Sequence, residues 1–386
     1  MSVPERQIVV LCLIGTRPEA IKMASVIREL KARPQARVVV CATGQHREMI
    51  APILSFFEIE PEIDLDLMKP DQTLVALTSR LLEGIDDAIS QVSPDWVVAQ
   101  GDTTSVMAGA LAAFYRKVPF AHVEAGLRTG SLDAPFPEEF HRRVADMVAS
   151  LHFAPTAQAV ETLRRENVPE ERILLTGNTV VDALVETAKH DPEWSAGPLE
   201  NLDRDAPIVM ITAHRRENFG RPLREICEAV ADLARHYADR HFQWVFPVHL
   251  NPNVRCTVRE ILADVPGVKL MEPLDYFWNV QLMKRCRLIL TDSGGIQEEA
   301  PSLGVPVLVL RTTTERREGV ELGTARLIGW SRETIIQETI RVIRETDGRT
   351  KPTIPEPNPY GDGFAGKRIA DALIGRIPAK LPVLTD

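Results

Sequence analysis

The 386-residue sequence has only five cysteines, Cys12, Cys41, Cys227, Cys256 and Cys286. The number is odd and no pair is spaced C-x-x-C. That argues against a disulfide framework and a thiolate zinc site, and for a reducing compartment. A basic excess is also missing. Lys plus Arg is 45 against 54 for Asp plus Glu, a formal charge of −9, so the chain is a poor general nucleic-acid binder. No run of about 18 apolar residues occurs, so no transmembrane helix and no membrane partner are expected. Residues 1–6 carry no basic leader, and the apolar run Ile8–Ile14 is too short for a signal peptide; the expected location is cytoplasmic. No P-loop, H-E-x-x-H or G-x-S-x-G is present. Gly361, Gly363 and Gly366 fit G-x-G-x-x-G, but they follow a Pro-rich loop and not a strand, which removes the dinucleotide reading. Asp64-Leu65-Asp66 fits D-x-D and reads as a strand edge. No metal and no cofactor are expected.

Hydrophobic residues make up 44% and charged residues 26%, an ordinary globular balance. At roughly 100–200 residues per domain, the length predicts two domains. Short apolar runs rich in β-branched residues alternate with helical patterns throughout. They include residues 7–15, 37–43, 95–100, 119–126 and 151–156, then 206–214, 242–249, 287–292 and 305–310. This alternation predicts α/β structure: two Rossmann-like, doubly wound parallel sheets with helices on both faces. Residues 1–188 form the expected N-terminal domain and 207–363 the C-terminal one. The Pro-rich, charged stretch 189–206 is the expected linker, and a last helix at about 364–386 returns to the first domain. Such sheets bind ligands outside the carboxyl ends of their strands, and two facing sheets make a cleft suited to a small molecule.

The polar motifs follow the strands. In residues 291–304, Ser293-Gly294-Gly295 opens a helix, where free N–H groups suit a diphosphate; Glu298 and Glu299 come one turn later, within reach of ribose hydroxyls. A tight turn with a solvated acidic face is the plainer reading. Arg17 and Lys22 place positive charge near the start of the first helix, which an anion would offset. Asp102, Glu124 and Glu138 are three carboxylates after first-half strands. Converging acids suit general acid–base work; N-capping, or ion pairs to Arg128, Arg142 or Arg143, would explain each singly. His214, Arg215 and Arg216 follow a second-half strand, and Arg316 and Arg317 follow the last one, positions suited to phosphate. His46 and His249 stand in two further polar loops.

Eleven blocks occur in order: GTRPEAIKMA, TGQHREM, GDTTS, HVEAGLRTG, PFPEE, GNTVVDAL, TAHRRENFG, PVHLNPNV, TDSGGIQEEAPSLGVPVLVLR, TTER and NPYGDG. Together they resemble the non-hydrolysing UDP-N-acetylglucosamine 2-epimerases of bacteria, from about residue 7 to 375. The resemblance implies a GT-B-like fold facing a central cleft, a homodimer, and interconversion of UDP-N-acetylglucosamine and UDP-N-acetylmannosamine for cell-surface polysaccharide synthesis. By similarity, Asp102, Glu124, Glu138 and His214 match catalytic positions. Arg17, Lys22, Ser293, Gly294, Gly295, Glu299 and Arg316 match substrate-binding ones. Gln45, His46, Arg215 and His249 match positions tied to activation by a second UDP-N-acetylglucosamine. The chain departs from the family at the adjacent aromatics Tyr276, Phe277 and Trp278, with Asn279 where an aromatic is usual, and at Arg317 where a proline is common.

The chemistry can be reasoned alongside. C2 of the sugar does not adjoin a carbonyl, so simple removal and return of its proton is difficult. Elimination avoids this: UDP leaves C1 as the C2 proton departs, giving 2-acetamidoglucal, and UDP adds back with protonation on the other face. A base, an acid and firm diphosphate binding are required; which carboxylate takes the C2 proton is left open. A hydrolysing relative would release N-acetylmannosamine and UDP. A GT-B glycosyltransferase would need an acceptor pocket. A non-catalytic UDP-sugar sensor would need the nucleotide loops but not three carboxylates and His214.

Overall fold

A computed structural model of the chain describes residues 7–44, 47–67, 72–314, 316–347 and 358–376, with only the backbone of 47–49. The chain divides into two compact units. One contains the residues up to Ala183 and from Tyr360 onward; the other is Leu184–Pro359.

The first unit holds seven strands: β1 (Ile8–Ile14), β2 (Ala36–Ala42), β3 (Ile63–Asp64), β4 (Trp96–Gln100), β5 (Phe120–Val123), β6 (Leu151–Ala154) and β7 (Ile173–Leu175). They pair in the order β3-β2-β1-β4-β5-β6-β7, every pairing parallel. The central strands β4, β5 and β6 are buried along their whole length, which is why they read as unbroken apolar runs. Leu11, Val39, Leu81, Ile85, Val97 and Phe120 form one core cluster. Asp64 ends β3 at the sheet edge, where the D-x-D match therefore lies. The last helix, Ala365–Gly375, belongs to this unit: Asp182 accepts from the backbone N–H groups of Ala365 (3.1 Å) and Gly366 (2.7 Å), and Arg33 donates to Asp371 at 2.6 Å.

The second unit repeats the pattern with β8 (Ile208–Thr212), β9 (Gln243–Pro247), β10 (Val268–Met271), β11 (Cys286–Thr291), β12 (Val307–Val309) and β13 (Ala325–Leu327). Their order is β10-β9-β8-β11-β12-β13, again all parallel. Trp244, Phe246, Leu288, Leu290 and Ile343 lie in its core. The stretch 189–206 is packed against this unit, with Trp194, Leu199 and Leu202 buried and Gly197 against the Trp278 ring. No helix among the described residues is long and apolar enough to cross a membrane. Cys12, Cys41, Cys227 and Cys286 are buried free thiols and Cys256 is exposed.

Candidate active site

In each sheet the strand order reverses between the first and fourth strands, and crevices that take ligands form at such points. In the first unit the reversal lies between β1 and β4. Glu19 joins the two strand ends there. Its carboxylate accepts from the N–H groups of Gly15 (2.5 Å) and Thr16 (2.9 Å), and from the Thr103 hydroxyl (2.6 Å). Burial pushes this carboxyl up to about 7, against the pull of those donors. Thr16 caps the helix Arg17–Lys31, so Arg17 is its first residue, half-buried.

Asp102 lies just past β4. It is not the N-cap of the next helix, Thr104–Tyr115; Thr103 is. Arg142 donates to its carboxylate, and Nδ1 of His141 donates to its backbone carbonyl at 3.1 Å. Burial holds the His141 imidazole below its ordinary range and thus neutral, although both Asp102 and Glu138 pull the other way. Glu124 follows β5 with φ +67°, a left-handed conformation that costs a non-glycine residue about 1 kcal/mol. Lys22 donates to both of its carboxylate oxygens, at 2.7 and 2.6 Å, and the Gln100 amide donates as well. Lys22 therefore makes its ion pair with a candidate catalytic acid.

Glu138 opens the helix Glu138–Val148 and keeps part of its surface in solvent. Its neighbour Glu139 is fully buried and committed, accepting from the Thr129 N–H at 3.0 Å and from Arg143 at 2.9 Å. Of the Glu pair in PFPEE, Glu138 is thus the one open to chemistry.

In the second unit the reversal lies between β8 and β11. Asp292, fully buried after β11, shapes the loop after β8. One oxygen accepts from the N–H groups of His214 (2.9 Å) and Arg215 (2.8 Å) and from the Asn218 amide (2.9 Å). The other lies 3.4 Å from Nδ1 of His214. Burial, with the neighbouring His249 and Arg215, keeps the His214 imidazole below its ordinary range despite Asp292. His249 stacks on it with ring centroids 5.4 Å apart.

Ser293 caps the helix Gly294–Ser302, and a Cβ on Gly295 would meet no atom within 4 Å. The helix start thus has open space beside bare backbone, the requirement for close approach by a phosphate. Gln297 donates to the Ser293 carbonyl (3.1 Å) and accepts from the Thr314 hydroxyl (2.7 Å), which in turn accepts from the Arg316 N–H at 3.1 Å. Arg316 also pairs with the buried Glu298 at 2.5 Å. Glu298 is thereby tied into the framework, while Glu299 remains half-exposed. An open pocket of about 490 Å³ lies past β10, lined by Pro198, Met271, Glu272, Pro273, Leu274, Asp275 and Trp278.

Each unit thus gathers its predicted residues at the carboxyl ends of its own strands. Gln45 and His46 lie outside the described residues. Sequence reasoning missed Glu19, Gln100, His122, Asp146 and Asp292. A signal existed for two of them: His122 stands in a strand that is otherwise apolar, and Asp292 directly precedes Ser-Gly-Gly.

The family model described as UDP-N-acetylglucosamine 2-epimerase matches residues 28–374. The UDP-N-acetylglucosamine 2-epimerase of Escherichia coli K12 is 47% identical over 372 residues, covering 94% of this chain and 98% of the relative. The crystal structure of the Neisseria meningitidis enzyme bound to UDP-GlcNAc superposes with a TM-score of 0.84 at 43% identity, covering 95% of this chain and 100% of that one. A glycosyltransferase structure from Rickettsia africae shares the fold alone, at 12% identity and a TM-score of 0.61, in keeping with a GT-B-like architecture. This chain belongs to the UDP-N-acetylglucosamine 2-epimerase family of isomerases.

Proposed function

We propose that the chain interconverts UDP-N-acetylglucosamine and UDP-N-acetylmannosamine by eliminating UDP to 2-acetamidoglucal and adding it back. The observation that carries this reading is the carboxylate set at the strand ends of the first unit. Asp102 and Glu124 are each held by a cation, Arg142 and Lys22, and Glu138 starts the helix that supplies Arg142. A base removes the C2 proton, an acid returns it to the other face, and fixed cations keep several acids tolerable in one place.

The second unit binds the nucleotide in this reading. Ser293, Gly294 and Gly295 hold the diphosphate with Arg316, Glu299 takes the ribose, and the pocket ending at Trp278 takes the uracil. Arg17 adds positive charge for the departing UDP. His214 acts on the diphosphate or as a proton carrier; its neutral imidazole, with Nδ1 facing Asp292, offers Nε2 for either role. A second UDP-N-acetylglucosamine acts as activator in this reading, with Arg215 and His249 among the residues that would meet it. Strictly hyperbolic kinetics in both directions would count against that site.

A cytoplasmic homodimer fits as well. The mutually packed helices Thr104–Tyr115 and Glu138–Val148 expose Phe114 (59%), Tyr115 (68%), Phe140 (48%) and Met147 (82%), apolar side chains that a partner subunit would cover. Sedimentation at the 43.0 kDa monomer mass would refute the dimer.

Proton NMR of the protein with UDP-N-acetylglucosamine in D₂O tests the reaction. UDP-N-acetylmannosamine deuterated at C2 is the expected product. Free N-acetylmannosamine with UDP would identify hydrolysis instead. Asp102→Asn should abolish turnover while leaving UDP binding in place, and unchanged turnover would remove Asp102 from the mechanism.

A further inference from the structure

His122 lies in the middle of the apolar strand β5, fully buried, and both of its ring nitrogens face oxygen. Nδ1 is 2.6 Å from an Asp146 carboxylate oxygen, and Nε2 is 2.7 Å from the carbonyl of Gly101. A carbonyl can only accept, so Nε2 carries hydrogen. The other Asp146 oxygen is already engaged by the Gly126 N–H at 3.1 Å and by Arg128 at 2.8 Å. Donors on that oxygen favour the ionised carboxylate, which leaves Nδ1 to carry hydrogen too. The ring is then an imidazolium, and the charges of His122, Asp146, Arg128 and its second partner Glu166 balance. Burial opposes each charge. For His122 burial is the largest single influence, yet the Asp146 charge together with the hydrogen bonds to Asp146 and Gly101 overcomes it and raises the ring above its ordinary range; for Asp146, His122 and Arg128 together overcome burial and hold it down at about 2. His152, whose Nε2 donates to the Asp146 carbonyl at 2.8 Å, is kept neutral by burial.

The contacts of this pair lead to the loops that carry the candidate acids. Gly101 has φ +90°, donates its N–H to the Val123 carbonyl at 3.0 Å, and gives its carbonyl to His122. Gly101, the residue before Asp102, is therefore held through both its N–H and its carbonyl. His141 holds the peptide after it. Asp146, through Gly126, anchors the turn that follows Glu124, where residues 124 and 126 both have left-handed φ.

We propose that His122 and Asp146 are a charged positioning pair that aims the Asp102 and Glu124 carboxylates at the sugar. This rests on the reading of those two acids as the proton-transfer groups. Neither His122 nor Asp146 touches substrate; they act through the two loops.

Two substitutions divide the His122 contacts. A glutamine amide reaches roughly as far as Nε2 and can still donate to Gly101, whereas an asparagine amide reaches only as far as Nδ1 and keeps Asp146 alone. His122→Asn should lower kcat about 100-fold, the scale for misplacing a catalytic group by about 1 Å. His122→Gln should recover at least a tenth of the wild-type rate. KM and the Kd for UDP should stay within about threefold in both, because the nucleotide loops are elsewhere. Equal losses in both variants, moving in step with UDP affinity and melting temperature, would reduce the pair to a structural role and overturn the proposal. Should both variants fail to fold, the native protein decides. Nitrogen-15 spectra of the His122 ring, assigned by its proximity to Phe120, should show two protonated nitrogens from pH 6 to 8; a neutral ring at pH 7.5 would overturn it. Asp102→Asn separates the two levels. If that variant keeps its turnover, the reading of the acids fails. If it is inactive while His122→Asn is fully active, only the positioning pair fails.

Discussion

One oxygen of the buried Asp292 carboxylate lies 3.4 Å from Nδ1 of His214, and its other oxygen accepts from the His214 backbone N–H at 2.9 Å. A single side chain thus sets both the loop that carries His214 and the face its ring presents. A carboxylate opposite Nδ1 favours hydrogen there and leaves Nε2 as the acceptor. Asp292→Asn can present its amide hydrogens to Nδ1 and reverse that tautomer. Steady-state assays should find kcat reduced on the order of 10–100-fold, the range usual for partners that orient a histidine. Turnover equal to wild type would mean the tautomer of His214 is immaterial.

The Lys22–Glu124 ion pair is nearly closed to solvent, with side-chain exposures of 14% and 6%. Removing Lys22 takes this cation away from the buried Glu124 charge, which keeps the Gln100 amide as a neutral donor. Lys22→Met should therefore destabilise by about 3–5 kcal/mol. The double substitution Lys22→Met with Glu124→Gln should be more stable than the single one, since it removes the buried charge along with its counter-ion. Denaturant melts of the four proteins measure the coupling. A double variant that loses the sum of the two single losses would show the pair to be energetically independent.

Gly295 separates binding from folding. A methyl group there meets nothing and its φ is not left-handed, so Gly295→Ala should leave the melting temperature nearly unchanged, or raise it slightly through helix propensity. The same methyl would stand where the diphosphate approaches bare backbone. Calorimetry should therefore find UDP bound at least about tenfold more weakly, a cost of about 1.4 kcal/mol. Undiminished UDP affinity would remove Gly295 from the phosphate site.

Glu19 makes stability depend on pH. Burial pushes it up to about 7 from an ordinary 4.5, so the folded chain holds that proton more tightly than the unfolded one. Its stabilising effect is complete below about pH 4.5 and is lost as pH rises through 7. Glutamine does not titrate. The melting temperature of Glu19→Gln should accordingly climb relative to wild type between pH 5 and pH 8, by the equivalent of up to about 3 kcal/mol. A difference that is flat across that range would place the proton on Glu19 at neither end.

Much of this was legible in the chain itself. Strands such as β1 and β4 are buried on both faces, so their residues had to be continuously apolar, and a periodicity reading finds them directly. The informative loops follow from the same rule, because parallel sheets bind at strand ends. Asp102, Glu124, His214 and the Ser293-Gly294-Gly295 turn were therefore findable by position and residue type alone. Lys22 was legible only as a charge. Its pairing with Glu124, 102 positions along the chain, depends on how the first helix packs over β2, β1 and β4.

The linear sequence determined the alternating β and α pattern, the parallel sheets, the motif order that carries the family, and the strand ends where chemistry resides. These follow from local periodicity and from burial that repeats along the chain. Tertiary structure alone decided which acids are committed and which remain open. Glu139 and Glu138 are adjacent and chemically alike, yet helix orientation buries one among Thr129 and Arg143 and leaves the other partly in solvent. It also decided that His122 meets Asp146 and Gly101, that Glu19 meets Thr103, and that Asp292 meets His214. Each of these joins segments that are distant in sequence, and hydrogen bonds between such segments exist only once the sheet has set their register.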